Sequence, residues 1–374
     1  MQLQRPKIEP FALERFFAQH EFSARFLLCA SDCESLTVDE LIALEPSAAD
    51  DLKKTWLGYT EAAGSPALRE TIAAHYRGLS AEDVLVFSGA QEAIFAFMQR
   101  ALGSGDHAVV HVPAYQSLYS VARANGADVT FWCAAEEQQW RLDVDFLRDS
   151  MRPSTKAVVI NTPHNPTGYL MSAQTLEAIV GVTRSAGAYL FCDEVYRDSE
   201  YDPAARLAAA CEVYEKGVSL GVMSKSLGLA GLRIGWIATR DRALLGRIAQ
   251  MKDYLTICSA APSEFLATLA LRNSRRILER NRSLTARNLE LLDAFIERHA
   301  ERISWVRPQS APIGFIRIKD VCGAETFCSN LLETSGVLLL PSTIYAMEDT
   351  HARIGFGRAN FPEGLAQFGR FLAS

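Results

Sequence analysis

Between residues 65 and 240 the chain alternates two kinds of apolar spacing. Residues 66–75 and 92–101 place apolar side chains three and four positions apart, which marks a helix with one buried face. The short runs 84–87, 108–112, 128–132, 157–161, 189–192, 218–222 and 234–238 are rich in apolar and β-branched residues, and each has strand length. This alternation predicts an α/β fold, a large domain with a mainly parallel seven-stranded sheet and helices on both faces. Ligands of such sheets lie beyond the carboxyl ends of the strands, and turn signals fall there: Ser88-Gly89, Pro113-Ala114-Tyr115 and Asn165-Pro166-Thr167-Gly168.

After about residue 265 the pattern changes. A long helical stretch, 267–298, is followed by strand-like pieces at 314–318, 336–340 and 352–355 and by a closing helix. Residues 266–374 therefore read as a smaller α+β domain, with residues 1–45 and their helix-like 10–20 packed on it. Residues 46–265 form the large domain. No repeat, low-complexity tract or flexible linker interrupts the chain.

Composition narrows the function. With 374 residues, 49% hydrophobic and 22% charged, the chain is long enough for two cores and ordinary for a globular protein. A formal net charge of −6 argues against nucleic acid or an anionic membrane as partner. Eight cysteines at 29, 33, 133, 192, 211, 258, 322 and 328 form neither paired Cys-x-x-Cys motifs nor a disulfide framework. The charged start, Met1 to Pro10, has no apolar run of a signal peptide, and no stretch of about 18 apolar residues suggests a membrane span. The expected location is a reducing cytoplasm, and the expected partners are small molecules.

The densest chemistry lies in Ser224-Lys225, followed by Gly228, Gly231 and Arg233-Ile234-Gly235-Trp236. A lysine that condenses with an aldehyde must be neutral, hence shielded and partly desolvated. Lys225 follows a buried-strand pattern, and the glycines let the chain turn closely round a ligand. Arg233 can present a planar, permanently charged fork to a phosphate.

Taken with Tyr59, Ser88-Gly89-Ala90-Gln91, Tyr115, Asn165-Pro166-Thr167-Gly168, Asp193-Glu194-Val195-Tyr196 and Arg353, this loop resembles the class I/II aminotransferases, fold-type I enzymes that use pyridoxal 5'-phosphate (PLP). The resemblance covers roughly five sixths of the chain, from Tyr59 onward. It implies that Lys225 is the catalytic residue and holds PLP as an internal aldimine, and that Asp193 keeps the cofactor's ring nitrogen protonated. It also implies that Asn165 and Tyr196 bond the phenolic oxygen and that Tyr115 stacks on the ring. Ser88, Gly89, Ala90, Gln91, Ser224 and Arg233 would bind phosphate; helix-start N–H groups and small residues suit that task. Tyr59 would reach the phosphate of a neighbouring subunit, so a homodimer is expected. Arg353, with Arg358 as a nearby competitor, would hold the substrate α-carboxylate beside Asn165, and Asn165-Pro166 is a candidate cis peptide.

Three departures bear on the substrate. Val222 stands where the family commonly has Ser or Thr, Pro341-Ser342-Thr343-Ile344-Tyr345 replaces a Pro-Gly-x-x-Phe loop, and 29–35 replaces a glycine-containing segment. Together with the sequence around Lys225, the last resembles the subgroup containing capreomycidine synthase, which cyclises an arginine derivative; Asp32 and Glu34 would then face a guanidinium. The expected activity is amino transfer from an L-amino acid to a 2-oxo acid, with a PLP-dependent cyclase, lyase or oxidase as the alternative.

Other readings fall away. His107 and His111 flank a strand without a zincin glutamate, and the glycines after Lys225 do not form a dinucleotide fingerprint. No Gly-x-Ser-x-Gly elbow is present. A regulator of this fold fused to a DNA-binding module would need an amino-terminal basic domain for which the chain has no room.

Overall fold

A computed structural model describes residues 8–373, so most of the expectation about Met1 to Pro10 lies outside the described residues. The seven expected strands form one sheet in the spatial order Val84–Phe87, Gly235–Ala238, Gly217–Val222, Tyr189–Asp193, Thr155–Asn161, His107–Val112, Asp128–Cys133. Gly235–Ala238 runs antiparallel to both of its neighbours, and the other pairings of the sheet are parallel. The central strands are buried on both faces, which is why they read as unbroken apolar runs rather than alternating ones.

Local chemistry fixes the elements around the sheet. Ser172 Oγ caps the helix Ala173–Ser185 by accepting from Thr175 N at 3.0 Å, and Asp241 caps Arg242–Lys252 through Leu244 N at 2.8 Å. Gly221 has no side chain because the Trp236 indole from the next strand lies across it; a Cβ there would come within 2.3 Å of the ring. That indole donates to Tyr76 Oη at 2.9 Å.

A second, four-stranded antiparallel sheet orders Leu340–Pro341, His351–Gly355, Ile313–Ile318 and Ile303–Trp305. Its core, including Phe327, Phe356, Phe361 and Phe368, lies under the helices Ser274–Arg298, Ala324–Ser335 and Phe361–Ala373. The amino-terminal strand Phe26–Leu27 pairs in parallel with Val337–Leu338.

Two elements differ from the expected pattern. The stretch 267–298 is broken into Ala261–Arg272 and Ser274–Arg298 at Asn273, whose side chain donates to Glu45 Oε1 and Leu269 O and so competes with helical continuation. The run 336–340 is two strands in two sheets: Val337–Leu338 joins the amino-terminal strand, while Leu340–Pro341 sits at a sheet edge, where a residue without N–H is tolerated. The strand Ile303–Trp305 was not expected. Among the described residues, no helix is long and apolar enough to cross a membrane.

Candidate active site

Strand ends and the lysine loop meet at a cavity of about 390 Å³. Ala90, Gln91, Tyr115, Asn165, Asp193, Tyr196, Ser224, Lys225, Arg233 and Arg353 line it, although they are spread over more than 260 positions. Ser88 and Gly89 lie just behind them. Tyr59 does not line this cavity; it is 84% exposed on the surface.

Lys225 is held by its own loop and by the amino-terminal segment. Ser226 Oγ, next to it, donates to Arg197 O at 2.6 Å, and Cys33 N donates to Lys225 O at 3.3 Å. Gly228 adopts φ +68°, and a Cβ there would meet Glu34 O at 2.8 Å, so only glycine lets the two segments pack. Lys225 Nζ donates to Ser31 Oγ at 2.8 Å. Burial pushes its pKa below the usual lysine value, against the pull of Asp32 and Asp193.

Asp193 ends the strand Tyr189–Asp193 and is buried. Burial raises its carboxyl to about 7, partly offset by the hydrogen bond from Val195 N and by Lys225. Asn161, which sequence reasoning did not single out, fixes this end of the sheet: its Nδ2 donates to Asp193 O at 2.8 Å, and its Oδ1 accepts from Asn165 N at 2.6 Å. The Asn165-Pro166 peptide is cis, as are Val112-Pro113 and Thr162-Pro163. His164 bridges two of these turns, with Nε2 at 2.8 Å from Pro113 O and Nδ1 at 2.7 Å from Thr167 Oγ1.

Arg353 is 1% exposed. Its guanidinium donates to Cys29 O through Nε and Nη2, and to Asn165 Oδ1 and Tyr345 Oη through Nη1, at 3.1 and 2.6 Å. Tyr345 Oη in turn donates to Asn165 Oδ1 at 3.1 Å. The altered loop at 341–345 therefore contributes a hydroxyl that orients the arginine. Arg358 also borders the cavity, but one of its nitrogens donates to both oxygens of Asp32 at 2.9 Å. Glu34 does not line the cavity; its carboxylate accepts from Ala359 N at 2.7 Å. Of the two acids expected to face a guanidinium, only Asp32 borders the space.

The opposite end is built for an anion. The helix Ala90–Ala101 begins there, and the N–H groups of Ser88 and Gly89 are already taken by Glu92 Oε2 and Phe87 O. Ala90 and Gln91 carry the first free helical N–H groups. Gly89 has φ +90°, and a Cβ on it would lie 2.5 Å from Arg233 Nη2. Buried Ser224 stands beside them.

Tyr115 packs against Phe11, with ring centroids 4.9 Å apart, and its hydroxyl donates to Glu14 Oε1 at 2.9 Å. Tyr196 Oη is buried without a hydrogen-bond partner of ordinary geometry, Ser31 being only a weak neighbour. Glu14, Glu21 and Ser31 also line the cavity; Ser31 lies in the segment 29–35 already marked as bearing on the substrate, while no local sequence signal marked the two glutamates.

These features fit PLP. An anion cradle that a side chain would fill, a shielded lysine, an acid at the far side and an unpartnered tyrosine hydroxyl correspond to its phosphate, aldehyde, ring nitrogen and phenolic oxygen.

Comparison with known proteins agrees. The model of "Aminotransferase class I and II" matches residues 25–365. Capreomycidine synthase from Streptomyces vinaceus is 27% identical, over 99% of this chain and 95% of that protein. The crystal structure of a PLP-dependent aminotransferase from Streptococcus suis is 34% identical, with a TM-score of 0.93 and 98% of each chain covered. The PLP-dependent cyclase OrfR is 29% identical, with a TM-score of 0.91 over 100% of this chain and 99% of that one. The chain is an enzyme of the class I and II aminotransferase family, and pyridoxal 5'-phosphate is its cofactor.

Proposed function

We propose that this enzyme is an aminotransferase that moves the amino group of an L-amino acid to a 2-oxo acid. The observation that carries the reading is the convergence of Lys225, Asp193 and Arg353 on one cavity. When bound, PLP supplies an aldehyde for condensation with amines and a protonated ring that withdraws electrons from the substrate's α-carbon.

The residues divide that work. Lys225, whose amine burial shifts toward the neutral form, would hold the cofactor through Nζ and, when free, would take the substrate's α-proton and return it one atom away. Asp193 would hold a proton on the ring nitrogen, and that charge pair would favour the ionised carboxyl against the upward push of burial. Tyr196 Oη and Asn165 bond the phenolic oxygen, and Tyr115 covers the ring. The first N–H groups of Ala90–Ala101, with the Ser88 and Ser224 hydroxyls and Arg233, would hold phosphate, and Gly89 would leave room for it. Arg353, braced by Tyr345, takes the substrate α-carboxylate as a bidentate pair.

Tyr59 serves the site from a second subunit in a homodimer, the division at 46–265 against 1–45 and 266–374 separates a cofactor domain from a smaller one, and the enzyme works in the cytoplasm. Exposed Trp56, Leu57, Tyr59 and Tyr254 support the homodimer.

The second reading is a PLP-dependent cyclase, lyase or oxidase acting on an arginine derivative. It is favoured by the near full-length similarity to capreomycidine synthase and OrfR, and by Ser31 and Asp32 bordering the cavity.

Purified protein is expected to show a visible absorption band that borohydride fixes to the peptide carrying Lys225. Amino acids are then supplied with and without 2-oxo acid acceptors, and products are read by mass spectrometry. An aminotransferase stops after one half-reaction without acceptor. Sustained turnover without acceptor would replace the first reading with the second.

A further inference from the structure

We infer that the cavity selects an amino donor with a cationic side chain and rejects dicarboxylic partners, through Glu14, Glu21 and Asp32 on its amino-terminal wall. The inference rests on the proposed roles of Lys225 and Arg353, and it concerns the rest of the substrate.

The wall is formed by the helix Ala12–His20, its end at Glu21 and the loop that follows, with Leu13 and Phe17 giving an apolar surface beside the acids. Each cation of the cavity is already assigned. Arg233 stands at the anion cradle, Arg353 is braced by Asn165, Tyr345 and Cys29 O, and Lys225 is bonded to Ser31. Arg358 is the one group suited to a distal substrate carboxylate, and Asp32 neutralises it with both oxygens. Among the described residues, Glu14 and Glu21 make no ion pair, and Glu14 accepts only a neutral hydrogen bond from Tyr115. That leaves two carboxylates bordering the same space without an ion pair.

The crowding is visible at Glu21, whose carboxyl is raised by burial and then by the proximity of Asp32 and Glu14, against a smaller opposite pull from Arg358 and Lys225. A guanidinium or ammonium placed among them would relieve that repulsion. A side-chain carboxylate would add to it in a space from which the substrate excludes water, where like charges are most costly. Tyr196 Oη, 1% exposed and unpartnered, opens on the same cavity from the cofactor side. The same reasoning extends to the acceptor, because donor and acceptor side chains occupy one place in turn. It is a monocarboxylic 2-oxo acid.

The test uses PLP-loaded enzyme with L-arginine, L-lysine and L-ornithine against neutral L-citrulline and L-norleucine and acidic L-glutamate and L-aspartate. The readout is the rate of loss of the visible band without acceptor, with products identified by mass spectrometry. At least one cationic donor is expected to exceed its neutral counterpart in kcat/KM by about tenfold, the equivalent of one well-placed charge contact. E14Q and E21Q should reduce that ratio toward one, and the neutral donor in each variant corrects for loss of folded enzyme. D32N should raise activity toward L-glutamate or L-aspartate by freeing Arg358. A wild-type preference for neutral or acidic donors, or a ratio unmoved in both E14Q and E21Q, overturns the inference. Absence of a reducible band on Lys225 overturns the proposed function as well, so the two failures are distinguishable.

Discussion

Two titratable side chains, Lys225 and Asp193, owe their properties to burial, and each is displaced from its ordinary pKa toward neutrality. For Lys225 this favours the free amine. Substituting Lys225→Ala should abolish the visible band and lower turnover by several orders of magnitude while leaving the fold intact; near wild-type turnover would remove the residue from the chemistry. Asp193 has a consequence for stability. Its carboxyl is raised from 3.8 to about 7 in the folded chain, so the protonated form is the one the cofactor-free protein favours. The contribution of Asp193 is complete below its unfolded pKa and is lost as pH rises through about 7. Thermal unfolding of cofactor-free protein between pH 4 and 8 should therefore show a decline attributable to Asp193, on the order of a few kcal/mol. Asp193→Asn should flatten it, and PLP should oppose it by pairing with the carboxylate. Parallel curves for wild type and variant would show that burial does not set this carboxyl.

At the scale of elements, the cofactor end rests on glycines whose backbones no other residue matches. Gly89 combines φ +90° with the guanidinium of Arg233 at the position a Cβ would occupy, whereas a Cβ on Gly231 would meet nothing within 4 Å. Gly89→Ala should therefore weaken PLP affinity by about tenfold or more and cost about 1 kcal/mol of stability. Gly231→Ala should change neither by a comparable amount. Fluorescence titration of cofactor-free protein with PLP separates the two, and equal affinities would sink the cradle. The same element explains what was legible in the sequence. Ser88-Gly89, Asn165-Pro166, Asp193 and Lys225 each lie in or next to a turn that directly follows a strand, so a short window holds both the structural cause and the chemical group. Glu14 and Asn161 were not legible as site residues, and Ser31 and Tyr345 were legible only as members of the segments 29–35 and 341–345, not by the contacts they make. Tyr345 meets Asn165 across 180 positions and Ser31 meets Lys225 across 194, and no local periodicity encodes such a meeting. The break at Asn273 was hidden for a related reason, because its partner Glu45 comes from the far end of the chain.

For the whole molecule, one surface feature stands outside the catalytic cavity and is mostly aromatic. Trp56, Leu57, Tyr59 and Tyr254 are each more than three-quarters exposed, and the two segments that carry them are tied together where Thr60 Oγ1 donates to Ser259 O at 2.8 Å. Buried Lys252 Nζ makes a second tie, to Ala62 O, and Glu92 makes a third by accepting from Thr256 N and Oγ1. Glu92 belongs to the helix Ala90–Ala101, whose first residues border the catalytic cavity, so the exposed surface and that end of the cavity share one support. Exposed apolar side chains on two segments tied together in this way are a surface of the kind that association covers. A twofold dimer burying it would also bring Tyr59 to a partner's phosphate. Sedimentation equilibrium should give a dimer at micromolar concentration. Trp56→Asp and Tyr254→Asp should shift it toward monomer and lower PLP affinity in parallel. Tyr59→Phe should keep the dimer and weaken cofactor binding alone, by about 1 kcal/mol for the lost hydrogen bond. A wild-type protein that sediments as a monomer and still binds PLP fully would place Tyr59 outside the site. Loss of affinity in Trp56→Asp without dissociation would point instead to damage transmitted through Glu92.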